Sequence, residues 1–140
     1  MRLATVVAAA LALSAGMTQA ATPADACANL AAARSALVAL IGETDTAKHD
    51  GMVEQVHAAS AALDADLAAM AGGADAAKAD AFKPVWEAFK TTRETEIIPA
   101  VKAGDTATAK GLATGVQAGR MKEMKAAMGC ARRGVGGCPT

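Results

Sequence analysis

The sequence predicts an all-α protein: an antiparallel up-down-up-down four-helix bundle behind a cleaved signal peptide. Three observations carry that expectation. Forty of the 140 residues are alanine, while aromatic residues make up 2% and tyrosine is absent. That composition favours closely packed helices over the β-branched and aromatic strands of a sheet. Apolar residues recur along the whole chain, and 14 basic residues balance 14 acidic ones, which separates it from the highly charged composition of disordered chains. Finally, proline, glycine and capping residues divide the chain after residue 20 into four helix-length segments.

The N-terminus reads as an export address. Arg2 precedes an apolar run from Leu3 to about Ala15, and Thr18-Gln19-Ala20 supplies a small-residue cleavage site before Ala21. The run is short for a bilayer span and no second one follows, so residues 1–20 are read as a signal peptide and the product as periplasmic, with no membrane span after cleavage. The mature part, about 120 residues, suits one domain: a bundle over 21–130 and a flexible glycine-rich tail over 131–140, with Gly134, Gly136, Gly137 and Pro139. A balanced charge removes the electrostatic case for nucleic acid.

Thr22 as N-cap and Pro23 in the first turn open helix one, and Gly42 stops it; its apolar side carries Cys27, Leu30, Leu37 and Ile41. Helix two starts between Thr44 and Asp50 and ends at Gly72-Gly73. Its stripe of Val53, Val56, Ser60, Leu63, Leu67 and Met70 alternates spacings of three and four, as in a packed bundle. Helix three spans about Asp75 to Ala103. Pro84 and Pro99 predict a kink or local opening, or else Pro84 marks the true first turn after a separate short segment. Asp105 caps helix four, which runs to Met128 or Gly129.

Cys27, Cys130 and Cys138 are the only cysteines. If helices one and four run antiparallel, Cys27 and Cys130 lie at one end of the bundle. That pairing, which closes the longer loop, is preferred to Cys130–Cys138. The third thiol is then free, paired between chains, or a ligand.

Phe82, Trp86 and Phe89 are all the aromatic residues, and their i, i+4, i+7 spacing places them on one face. Core filling is the ordinary reading of such a stripe. The functional one is the apolar wall of a ligand pocket, with Arg93 one turn on as anchor for an anionic group. Gly111, Gly115 and Gly119 recur every fourth residue of helix four. Each costs a helix about 1 kcal/mol against alanine, so a compensating close approach is expected, from a neighbouring helix, a second subunit or a flat ligand.

Asp50, Glu54, His57 and Asp64 share one side of helix two, but the second Glu-x-x-His of a di-iron bundle is missing and a solvated edge is the simpler reading. Met121, Met124 and Met128, followed by Cys130, suit either a core or a soft copper site. The chain has no Cys-x-x-Cys-His for covalent haem and no nucleophile or phosphate-binding motif. No catalytic residue is assigned, and the protein is read as a non-enzyme.

The stretch from Phe82 through Trp86, Phe89, Arg93, Ile97, Pro99 and the Gly104-Asp105 turn, on through Ala109, Leu112 and Arg120 to Met124, resembles the second half of the four-helix-bundle sensor domains of bacterial chemoreceptors. There an aromatic-led long helix closes on a Gly-Asp turn and an alanine-rich helix returns. The resemblance implies a ligand-sensing module that dimerises through its helices. The second membrane span and cytoplasmic parts of such receptors do not occur within these 140 residues, so a free periplasmic relative binding a small ligand is expected, with a homodimer as the implied assembly. The pattern is also similar to four-helix c-prime and b-type cytochromes, which would imply haem held by His49, His57 or the methionines. A structural or assembly protein acting through the glycine face is the third reading.

Overall fold

The computed structural model describes residues 20–131. Residues 1–19 of the segment read as a signal peptide, Cys138, and all but the first residue of the segment read as a tail lie outside the described residues. Among these, every regular element is helical. The helices are α1 (Pro23–Gly42), α2 (Thr46–Met70), α3 (Ala76–Thr92), α4 (Ile98–Lys102), α5 (Thr106–Thr114) and α6 (Val116–Met128). A π-helical turn, Arg93–Ile97, joins α3 to α4 without a loop, so the chain forms four helical runs.

The helix starts follow their capping chemistry. Thr22 and Asp25 form a capping box ahead of Pro23. Asp45 accepts the Ala47 amide at 3.0 Å to open α2, and Asp105 accepts the Thr108 amide at 3.0 Å to open α5. The turn before α5 holds Gly104 at φ +78°, a left-handed conformation that suits a residue without Cβ.

Two expectations for the longer helices are revised. Pro84 does not interrupt α3, which runs through it. Pro84 is solvent-exposed while Phe82 and Trp86 are buried on the other side, so water can satisfy the carbonyl left without a partner. The opening lies instead at the π turn, where the Ile98 amide donates to the Arg93 carbonyl. Pro99, at the second position of α4, has no N–H for the carbonyl four residues back, and a wider turn accommodates its ring. Helix four is not continuous either: it breaks at Gly115 into α5 and α6.

α1 packs along α2, and α3 along α6, while α5 contacts α1 and the π turn. The core is built from Leu30, Leu37 and Leu40 of α1, Val56, Leu63 and Leu67 of α2, the three aromatics, Ile97, and Met124 and Met128. An 18-residue stretch of α1 has a mean hydropathy of 1.4, so the helix is long and apolar enough to cross a membrane by length and composition, but its leucines are buried in the core. Cys27 of α1 and Cys130 after α6 form a disulfide with Cα atoms 5.7 Å apart, linking the two ends of the described chain.

Candidate binding groove beside the aromatic core

The aromatic face of α3 is interior. Phe82 and Trp86 are 0% exposed and Phe89 is 2%. Their ring centroids lie 6.4 Å (Phe82–Trp86) and 5.5 Å (Trp86–Phe89) apart, within the range of favourable aromatic contacts. The buried indole N–H donates to Asp64 Oδ1 of α2 at 2.7 Å. Lys90 donates to the same carboxylate at 3.0 Å and lies 5.5 Å from the Trp86 ring centroid. Partial burial pushes the Lys90 pKa down, but hydrogen bonds to Glu87 and Asp64 outweigh it and leave the pKa above its ordinary value.

Arg93 is only 3% exposed. One guanidinium nitrogen donates to the Ser60 hydroxyl at 2.5 Å, and Nε donates to Glu94 Oε1 at 2.8 Å. The Ser60 hydroxyl itself donates to the Val56 carbonyl at 2.9 Å, and the Glu94 carboxylate also meets His57 Nε2 at 2.9 Å. The network connects the π turn to α2. Arg93 is therefore engaged within the bundle.

Where α6 packs on α3, Gln117 is 2% exposed. Its amide donates to the Phe89 carbonyl at 2.9 Å, and its oxygen accepts from Arg120 at 3.0 Å. Arg120 also donates to Thr92 at 2.7 Å. Among the described residues no buried side-chain polar atom lacks a partner. Sequence reasoning passed over Gln117, although it sits four residues before Met121 in the 117, 121, 124, 128 register of buried positions.

Beside Gln117 opens a groove of about 360 Å³ between α1 and the α5–α6 run. Leu37, Val38, Phe89 and Met121 supply apolar wall, Ala113 and Ala118 keep it open, and Arg34 stands in its lining. Of the four residues expected to form a pocket, Phe89 borders this groove, whereas Phe82, Trp86 and Arg93 are not in its lining. A polar recess of about 460 Å³ lies at the start of α1, lined by Ala20, Ala21, Thr22, Asp25, Asn29 and Asp66. There the Thr22 hydrogen bonds lower the Asp25 pKa, and Asn29 donates to Asp66 at 2.6 Å.

Gly111, Gly115 and Gly119 are all solvent-exposed. A Cβ at Gly111 or Gly119 would meet no atom within 4 Å, so among the described residues no neighbouring helix approaches them. At Gly115 a Cβ would lie 2.9 Å from the Gly111 carbonyl oxygen. There the close approach comes from the chain's own backbone at the helix break.

Among the described residues, no three His, Cys, Asp or Glu side chains group to hold a metal ion. The acidic edge of α2 is divided among separate partners: Asp50 with Lys102 at 2.9 Å, His57 with Glu94, and Asp64 with Trp86 and Lys90. The Lys102 hydrogen bond and charge hold the Asp50 pKa below its ordinary value. Met121, Met124 and Met128 are buried core. Cys130 is bonded to Cys27, so it offers no thiolate to the copper site considered from sequence. The residues do not suit haem either. His49 places Nε2 3.0 Å from the Glu43 carbonyl, His57 is on the surface with Glu94, and the aromatic stack occupies the interior.

Comparison with protein-family models, curated proteins and solved structures finds no match to this chain.

Proposed function

We propose that this is a periplasmic, non-catalytic binding protein of sensor-like form, an antiparallel up-down-up-down four-helix bundle that takes a small ligand in the groove between α1 and α5–α6. The pairing of α1 with α2 and of α3 with α6, and the disulfide from the first turns of α1 to the end of α6, support the bundle topology. The signal-like N-terminus and a disulfide suited to an oxidising compartment support export. The observation that carries the ligand reading is the groove itself: about 360 Å³, within the range of small-molecule sites, with apolar walls and one charged residue in its lining. The resemblance to chemoreceptor sensor domains supports the same class of function.

Trp86 offers the test. It stacks on Phe89, which lines the groove, so a ligand there alters its emission. A screen of organic acids, amino acids and aromatic compounds should yield a binder that shifts Trp86 fluorescence and raises the melting temperature. Ala118→Trp, which fills the groove from an exposed position, should abolish both effects while leaving helicity intact. Binding undiminished by Ala118→Trp contradicts the assignment.

A further inference from the structure

We infer that the groove selects an amphiphilic carboxylate, a single apolar chain or ring carrying one anionic head, held with its body against Leu37, Val38, Phe89 and Met121 and its head at Arg34. The inference rests on the groove being the ligand site and adds the chemistry of what enters it.

Charge placement is the argument. α1 runs 20 residues with only two charged side chains, Asp25 and Arg34. Asp25 is tied into the Thr22 cap. Arg34 is exposed and is the one charged residue in the groove lining. Among the described residues no carboxylate pairs with Arg34, nor with Lys83, Lys110, Arg120, Lys122 or Lys125, but of these six cations Arg34 alone stands in the groove lining. The one cation of α1, beside an apolar groove, presents planar guanidinium donors that match a carboxylate.

The other polar groups in the lining are already in use. Gln117 is bonded through both its amide nitrogen and its oxygen, and the Thr114 hydroxyl donates to the Lys110 carbonyl at 2.8 Å. A polar ligand without an apolar body would therefore gain little along the walls. A cationic amphiphile would meet Arg34 as a like charge. An exposed arginine gives a modest, salt-sensitive preference, so the head should contribute a several-fold effect and the apolar body most of the affinity.

The test titrates the full mature protein with decanoate, decanol and decyltrimethylammonium, followed by Trp86 fluorescence. The inference expects decanoate to bind about fivefold tighter than decanol at low salt, with the cation weakest. Arg34→Gln should bring decanoate and decanol together, as should high salt, and Ala118→Trp should remove all binding. Equal affinity for decanoate and decanol in the wild type, with loss in Ala118→Trp, overturns the inference while leaving the groove as the ligand site. Failure of all three probes to bind overturns the inference and counts against the groove reading as well. Response to anionic lipid vesicles but not to monomeric decanoate would assign Arg34 to a membrane surface and also overturn it.

Discussion

Replacing the three glycines of the α5–α6 run one at a time should give effects of opposite sign. Gly111 and Gly119 are exposed helical positions with nothing within 4 Å of an added Cβ. Alanine there gains helix propensity of up to about 1 kcal/mol per site, which for a domain of this size raises the melting temperature by about 4 °C. Gly115 differs. Its Cβ would sit 2.9 Å from the Gly111 carbonyl oxygen, the same oxygen that accepts the Gly115 amide at 2.9 Å. A backbone atom cannot rotate aside as a side chain can, so Gly115→Ala must shift the helix break, at a cost of about 1–3 kcal/mol. Its melting temperature should fall by at least about 4 °C. Far-UV circular dichroism on the three single variants and on the Gly111→Ala/Gly119→Ala pair supplies the measurement, with the pair near the sum of its parts. If Gly111→Ala and Gly119→Ala destabilise as Gly115→Ala does, something packs on that face and the reasoning fails. A melting temperature that depends on protein concentration would then identify the covering partner as a second copy.

Three further predictions concern the bundle. Reduction of the Cys27–Cys130 disulfide frees a loop with a sequence separation of 103 residues. A loss of about 4.7 kcal/mol is expected, near 20 °C in thermal midpoint, while Cys138→Ser leaves the midpoint unchanged. Arg93→Met should stay within about 1 kcal/mol of the wild type in denaturant unfolding, because Ser60 keeps its bond to Val56 and exposed Glu94 is resolvated. Arg93→Ala, which leaves a void, should cost about 2–4 kcal/mol. Hydrogen bonds from Thr108 hold the Asp105 pKa below its ordinary 3.8. A lowered folded-state pKa contributes stability above the unfolded value and loses it as pH falls through the folded one. The thermal midpoint of the wild type should therefore drop below about pH 4, and Asp105→Ala should show a smaller drop over the same interval.

Much of the fold was legible because capping and breaking chemistry is local. Thr22 with Pro23, Asp105, and Gly72-Gly73 mark helix ends by hydrogen-bonding needs that do not depend on tertiary context. The α2 stripe was legible too, since Val56, Ser60, Leu63, Leu67 and Met70 are all buried. The Cys27–Cys130 pairing followed from where helix ends fall.

What escaped reading depended on which face turns inward. The i, i+4 spacing of Gly111, Gly115 and Gly119 identifies a face but not its direction, and alanine on both sides of a helix gives little amphipathic contrast to decide it. Pro99 announced an irregularity, yet the wider turn lies on its N-terminal side, at Arg93–Ile97. Arg93 continued the aromatic face by count, but in the structure its partners are Ser60 and Glu94, beside the π turn. The groove was the least accessible feature. Arg34 and Leu37 come from the first helix and Gln117 and Met121 from the last, so no local motif relates them.

The central claim is that a ligand lies between α1 and the α5–α6 run. Methyl-resolved NMR with decanoate tests it directly, because Leu37, Val38 and Met121 supply methyl groups to the groove. The account predicts saturable shifts concentrated on those three residues, with the methyls of Leu63 and Leu67 on α2 unmoved. Shifts centred at the start of α1 near Asp25 and Asp66, or spread evenly through the core, would contradict it.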